Sequence, residues 1–184
     1  MATIRPGTQP VLMIVDVQNG VMQECQNAAQ TIANVARTVE RARAAQVPVI
    51  WVQHESDELP RDSDAWQWVP ALVPAAGEAR IYKQFNSAFE QTDTDDLLAR
   101  LGATHVVLAG AQTNWCIRAS AYGALERGYD LTLVKDAHTT SDLDLCNGAS
   151  IDAATVVRDL NVTMKWLEYP GRRNRIASAE DVEF

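Results

Sequence analysis

The chain has 184 residues, enough for one well-buried α/β domain and too few for two. Its composition, 47% hydrophobic and 22% charged, is that of a folded globular protein. The formal net charge of −8 argues against nucleic acid or an anionic membrane as partner, because both call for a basic surface.

Residues 1–10 hold no apolar segment of the signal-peptide kind, and no apolar run reaches membrane-spanning length. Cys25, Cys116 and Cys146 are odd in number and lack CxxC spacing, which predicts a reducing, cytoplasmic setting without a disulfide frame or zinc site.

In chain order, Val11-Leu12-Met13-Ile14-Val15 reads as a fully buried strand ending at Asp16. Residues 27–45 place Ile32, Val35, Ala36, Val39 and Ala42 on one helical stripe. Residues 47–53 form a second strand, with Pro48 tolerated near its start. Residues 54–77 read as a long loop with exposed tryptophans at 66 and 68, a candidate lid or partner surface. The apolar residues of segment 66–73 exceed what a solvated loop needs and predict a homo-oligomer interface.

A short strand at 79–82 leads into Lys83. A helix at 94–101, capped by Thr92 or Asp93, is closed by Gly102. Residues 105–109 form a strand, 114–127 a helix closed by Gly128, and 130–134 a strand. A helix around 150–160 and a last strand near 161–165 follow, and 171–184 reads as a tail that is mobile or packed on a neighbouring subunit.

Strands alternating with helices require right-handed crossovers. The expected fold is therefore a three-layer α-β-α sandwich, a single domain over 1–184 with a mainly parallel, Rossmann-like sheet of about six strands. In such sheets the ligand crevice lies beyond the carboxyl ends of the strands. Asp16, Lys83 and the turn before Cys116 all fall there, so three reactive residue types from separate strands converge.

Cys116 follows Val106-Val107-Leu108-Ala109-Gly110-Ala111-Gln112-Thr113-Asn114-Trp115, where a helix should begin. Backbone N–H groups and the helix dipole favour a thiolate at that position. Each residue also has a bland reading: a capping aspartate, a surface lysine, a buried free cysteine. Cys25 and Cys146 lack this context and read as incidental. His105 reads as structural, and His138 as a loop residue orienting backbone.

Together these segments make the chain similar to the isochorismatase-like cysteine hydrolases, the superfamily of nicotinamidases and N-carbamoylsarcosine amidase. The resemblance runs from about residue 10 to 167. It rests on Val15-Asp16-Val17-Gln18-Asn19, on Lys83-Gln84-Phe85-Asn86-Ser87-Ala88-Phe89 with Thr92, on Gly110 to Ile117, and on Lys135-Asp136-Ala137 with Thr139-Thr140.

The resemblance implies a catalytic triad of Asp16, Lys83 and Cys116. It also implies a cis peptide at Ala111-Gln112 and an oxyanion hole from the Gln112 and Cys116 N–H groups. Gln18, His54 and Trp115 are expected to bind substrate. Metal-dependent nicotinamidases carry an aspartate and several histidines after the second strand. Here Gln53-His54-Glu55-Ser56-Asp57-Glu58 offers one histidine, so neither metal nor cofactor is expected.

Isochorismatases proper lack the nucleophilic cysteine, so Cys116 points to hydrolysis of a C–N bond in a small metabolite. Asp16 would serve as general base, Lys83 as electrostatic partner, and a thioester would be the intermediate. The alternatives are an isochorismatase-type vinyl-ether hydrolase with Cys116 a bystander, and a non-catalytic interaction protein retaining the fold. The resemblance also implies dimers or larger homo-oligomers.

Overall fold

A computed structural model describes residue 2 and residues 5–184. Its centre is a six-stranded sheet built from β1 (Gln9–Val15), β2 (Val49–His54), β3 (Ala79–Lys83), β4 (Ala103–Ala111), β5 (Asp130–Thr139) and β8 (Asn174–Ala177). The order is β3-β2-β1-β4-β5-β8, and every neighbouring pair is parallel. A two-stranded antiparallel ribbon, β6 (Leu143–Asp144) with β7 (Ser150–Ile151), lies outside it. Strand order reverses between β1 and β4, which makes their carboxyl ends the switch-point crevice.

The two faces of β1 show why its residues are continuously apolar. Val11, Met13 and Val15 enter one core with Leu98, Leu125, Leu160 and Met164. Leu12 and Ile14 enter the other, beneath Val35, Val39 and Ala42. The first face is covered by α3 (Thr94–Arg100), α4 (Arg118–Glu126) and α5 (Ala153–Trp166), the second by α2 (Ala28–Ala44). Burial on both sides of a parallel strand leaves no position for a polar residue until the strand ends.

Gly110 is needed where β1 and β4 come together. Its φ is +131°, and a Cβ there would stand 2.0 Å from the Val15 carbonyl oxygen. The β4–β5 pairing shifts register at this point, and the shift releases the chain from the sheet just before the turn that carries Cys116.

Several sequence expectations are corrected. The 161–165 segment is not a strand: α5 continues through it, and Asn161 is anchored by donating from Nδ2 to the Lys135 carbonyl at 2.9 Å. The last strand is Asn174–Ala177, so segment 171–184 is ordered against its own domain. It adds the sheet-edge strand and buries Ala179 and Val182.

The tryptophans of the 54–77 loop are not exposed either. Trp66 is buried and stacks on Tyr82, and Trp68 meets Trp51 edge-on. Val69 and Leu72 complete the α2-side core. Of the segment that suggested an oligomer interface, Trp66, Val69 and Leu72 are buried within the chain, whereas Pro70, Ala71 and Val73 stay exposed.

Candidate active site

Asp16 is the first residue past β1 and adopts φ 52°, a left-handed conformation that carries the chain sharply out of the strand. Lys83 closes β3, two strands away, and its side chain is fully withdrawn from solvent. Lys83 Nζ lies 2.6 Å from Asp16 Oδ2 and 3.2 Å from Cys116 Sγ. The three sequence-predicted triad residues therefore meet at one point.

Cys116 sits on a tight turn rather than at the head of a regular helix. Residues Thr113–Ile117 form one π-helical turn, in which the Gln112 carbonyl accepts from both the Trp115 and Ile117 N–H groups. Such turns are rare and concentrate at functional sites. The Ala111–Gln112 peptide preceding it is cis.

The groups around the sulfur act on its pKa in opposite directions. Burial first, and then the Asp16 charge, push the Cys116 thiol up to about 12, against the opposing pull of Lys83. Burial lowers the Lys83 pKa, but Asp16 and Cys116 outweigh it and the ammonium is held above its usual value. The resting site consequently holds a thiol beside an ammonium. The helix start offered a reason for a thiolate, but it could not disclose how deeply the sulfur is buried.

A cavity of about 480 Å³ opens onto these groups, lined among others by Asp16, His54, Asn86, Gln112, Trp115 and Cys116. Asp16 Oδ1 is buried there without a directed hydrogen bond. His54 lies 3.3 Å from Lys83 Nζ through Nδ1, and burial together with the Lys83 charge lowers its pKa. Trp115 is 52% exposed at the mouth.

Gln18 does not join this wall. It is fully buried, donating from Nε2 to the His54 and Trp66 carbonyls and accepting the His54 N–H at Oε1. Its amide fastens β2 to the 54–77 loop, which is a scaffold role in place of the substrate contact expected.

Sequence reasoning missed three further supports. His138, expected in a loop, is buried in β5 and bonds Thr113 Oγ1 through Nδ1 at 2.9 Å and Asn161 Oδ1 through Nε2 at 3.1 Å. It ties the Cys116 turn to α5. Thr140 donates to Asn114 Oδ1 at 2.6 Å and holds the same turn from another side. Asn86 places Oδ1 3.9 Å from the Cys116 sulfur. The triplet spacing of Lys83 and Asn86 along one segment was the available signal for the last.

Cys25 and Cys146 stay outside the cavity wall, and Cys25 donates to the Val21 carbonyl. His105 bonds Thr132 near the opposite end of the sheet. Among the described residues, no group of three His, Cys, Asp or Glu side chains is gathered as a metal site, and no helix is long and apolar enough to cross a membrane.

A parallel α/β sandwich with cysteine, lysine and aspartate brought together at its switch point defines a class, the isochorismatase-fold proteins. The chain belongs to the isochorismatase family: the isochorismatase domain model matches residues 10–161.

Among curated relatives, a secreted isochorismatase effector, Isc1, of Verticillium dahliae is 26% identical over 155 residues, covering 80% of this chain and 79% of the relative. A streptothricin hydrolase of Streptomyces noursei is 29% identical over 155 residues, covering 81% of this chain and 61% of that enzyme. Over a shorter stretch of 66 residues, 36% of this chain and 31% of the relative, a maleamate amidohydrolase of Pseudomonas putida is 44% identical. Among solved structures, an isochorismatase from Pseudomonas putida KT2440 superposes with a TM-score of 0.84 at 26% identity, covering 95% of this chain and 92% of that one.

Proposed function

We propose that this protein is a cysteine amidohydrolase that cleaves a C–N bond of a small metabolite. The observation supporting this most directly is the position of Lys83 Nζ, 2.6 Å from Asp16 and 3.2 Å from the Cys116 sulfur, two residues that line one cavity. The amidohydrolases and hydrolases among the relatives are consistent with it.

Because the resting sulfur is a thiol, deprotonation belongs to the attack itself. Asp16 takes the thiol proton as Sγ bonds to the carbonyl carbon, while Lys83 stabilises the negative charge passing through the sulfur. The carbonyl electrons move onto oxygen, where the Gln112 and Cys116 N–H groups serve as donors. Collapse breaks the C–N bond, Asp16 returns its proton to the leaving nitrogen, and a Cys116 thioester remains. Water deprotonated by Asp16 then attacks the thioester, releasing the carboxylic acid and restoring the thiol.

The test is release of ammonia or amine from a panel of small amides by native protein and by Cys116→Ala, with intact-mass detection of the acyl-enzyme. Complete loss in Cys116→Ala and a thioester mass adduct in the native chain are expected. Activity above a few per cent in Cys116→Ala would overturn the nucleophile assignment.

A further inference from the structure

The ionisable groups around the cavity are unbalanced. Asp16 is matched by Lys83, but Glu24, at the carboxyl end of α1 (Asn19–Gln23), and Glu58, in the 54–77 loop, also line the wall. Both are exposed, and neither has an ion-pair partner among the described residues. No lysine or arginine lines the cavity.

The nearby guanidinium groups are engaged elsewhere. Arg61 lies over the Tyr82 ring and beside Glu55, and Arg118 pairs with Asp159 at 2.6 Å. His54 does not supply the missing positive charge, because burial and Lys83 favour its neutral form. Asp16, on the same wall, is buried and its charge is already met by Lys83 at 2.6 Å.

Trp115 adds an independent observation. Its indole, 52% exposed on the cavity wall, has neither a stacked ring nor a cation over it among the described residues. The other four tryptophans each meet a second ring, stacked or edge-on, or a cation. An open indole face beside uncompensated carboxylates is the chemistry that recognises a positively charged nitrogen, through ring quadrupole and charge together. A carboxylate-bearing substrate would meet like charge at the entrance with no cation to receive it.

We propose that the substrate is a cationic amide, carrying an ammonium or guanidinium group away from its scissile bond, and that Glu24, Glu58 and the Trp115 ring receive that group. This deepens the amidohydrolase reading and rests on it for the word amide. The charge preference of the cavity can be measured without any hydrolysis.

The probe is Cys116 itself, reacted with two methanethiosulfonate reagents of similar size. One carries a trimethylammonium-ethyl group and the other a sulfonatoethyl group. Rates are read by mass spectrometry of the Cys116 peptide, so Cys25 and Cys146 do not interfere, and each is divided by the reagent's rate with free 2-mercaptoethanol. The cationic reagent should be favoured about tenfold or more at low salt. That ratio should fall toward unity in Glu24→Gln/Glu58→Gln and as salt shortens the screening length.

A normalised ratio of one or below in the native chain, or failure of the cationic reagent to modify Cys116, overturns the proposal. So does an unchanged ratio in the double variant. A matched panel of amides ending in amino or carboxylate groups separates the two readings. No hydrolysis of any amide, with the charge ratio intact, counts against amidohydrolase activity and leaves the cation-accepting cavity standing. Faster hydrolysis of the carboxylate-ended amides counts against the cationic substrate and leaves amidohydrolase activity standing.

Discussion

Lys83 and Asp16 form a salt bridge of 2.6 Å in which the two side chains are 0% and 2% exposed. An ion pair this deep derives its value from completeness, since either member alone is a buried charge without a counter-ion. Lys83→Met should cost about 3–5 kcal/mol of stability, the usual penalty for breaking a buried pair from one side. Adding Asp16→Asn to it should recover part of that loss, because the remaining charge is removed. Urea unfolding of the two single variants and the double variant measures the coupling, and strict additivity would contradict the account.

The same pair makes opposite predictions for the Cys116 thiol. Lys83 pulls its pKa down and Asp16 pushes it up, from a starting point of about 12. Lys83→Met should therefore shift the pH midpoint of iodoacetamide labelling upward, and Asp16→Asn should shift it downward. Asp16→Asn should nevertheless abolish turnover, because the proton acceptor is gone while the sulfur ionises more readily. Midpoints moving in the same direction for both variants would show that neither charge acts on the sulfur as described.

Two histidines predict an acid-side loss of stability. Burial holds His138 and His105 at about 4, below the unperturbed value near 6.5. The folded state thus refuses a proton that the unfolded chain accepts. Stability from this source is complete above about pH 6.5 and declines as pH falls toward 4, at about 1.4 kcal/mol per unit and per histidine. His138→Gln should flatten that decline, at the expense of stability near pH 7 where the Thr113 and Asn161 contacts are lost. Thermal unfolding against pH distinguishes the outcomes, and parallel curves for variant and native protein would refute the assignment.

Chelation should leave hydrolysis unchanged. His54 is committed to the neighbourhood of the Lys83 ammonium, and the described residues gather no three-ligand group around it. Loss of activity in EDTA, restored by zinc, iron or manganese, would be the contrary result.

The central strands and the candidate residues Asp16 and Cys116 were readable because they depend on short-range pattern. A strand buried on both faces is uniformly apolar, so a charged residue at its end, such as Asp16, stands out against it. The strand β8 has no such signature, because an edge strand is half covered and its Asn-Arg-Ile-Ala sequence lies among arginines. Those arginines have structural partners: Arg172 donates to the Leu125 carbonyl and lies over Tyr169. The β-branched residues Val162 and Thr163 suggested a strand where tertiary packing of Leu160 and Met164 sustains α5.

The misjudged tryptophans and the thiol pKa share a different cause. Contact between Trp51 and Trp68, or between Trp66 and Tyr82, joins residues 17 and 16 positions apart across a loop, beyond any periodic signal. The protonation state of Cys116 depends likewise on burial by distant chain segments and on its distance to Lys83, neither of which a local helix-start pattern encodes.

The Gln18 amide changes what the long loop can be. Besides its three hydrogen bonds, the backbone around it pairs with the loop from Asn19 N–H to the Gln67 carbonyl and from Gly20 N–H to the Ala65 carbonyl. A flap hinged at these residues would have to expose a fully buried carboxamide on every opening. This stretch is therefore masonry and not a door: residues 65–67 are mortared to the strand end that carries Asp16, and that side of the cavity stands built before anything enters it.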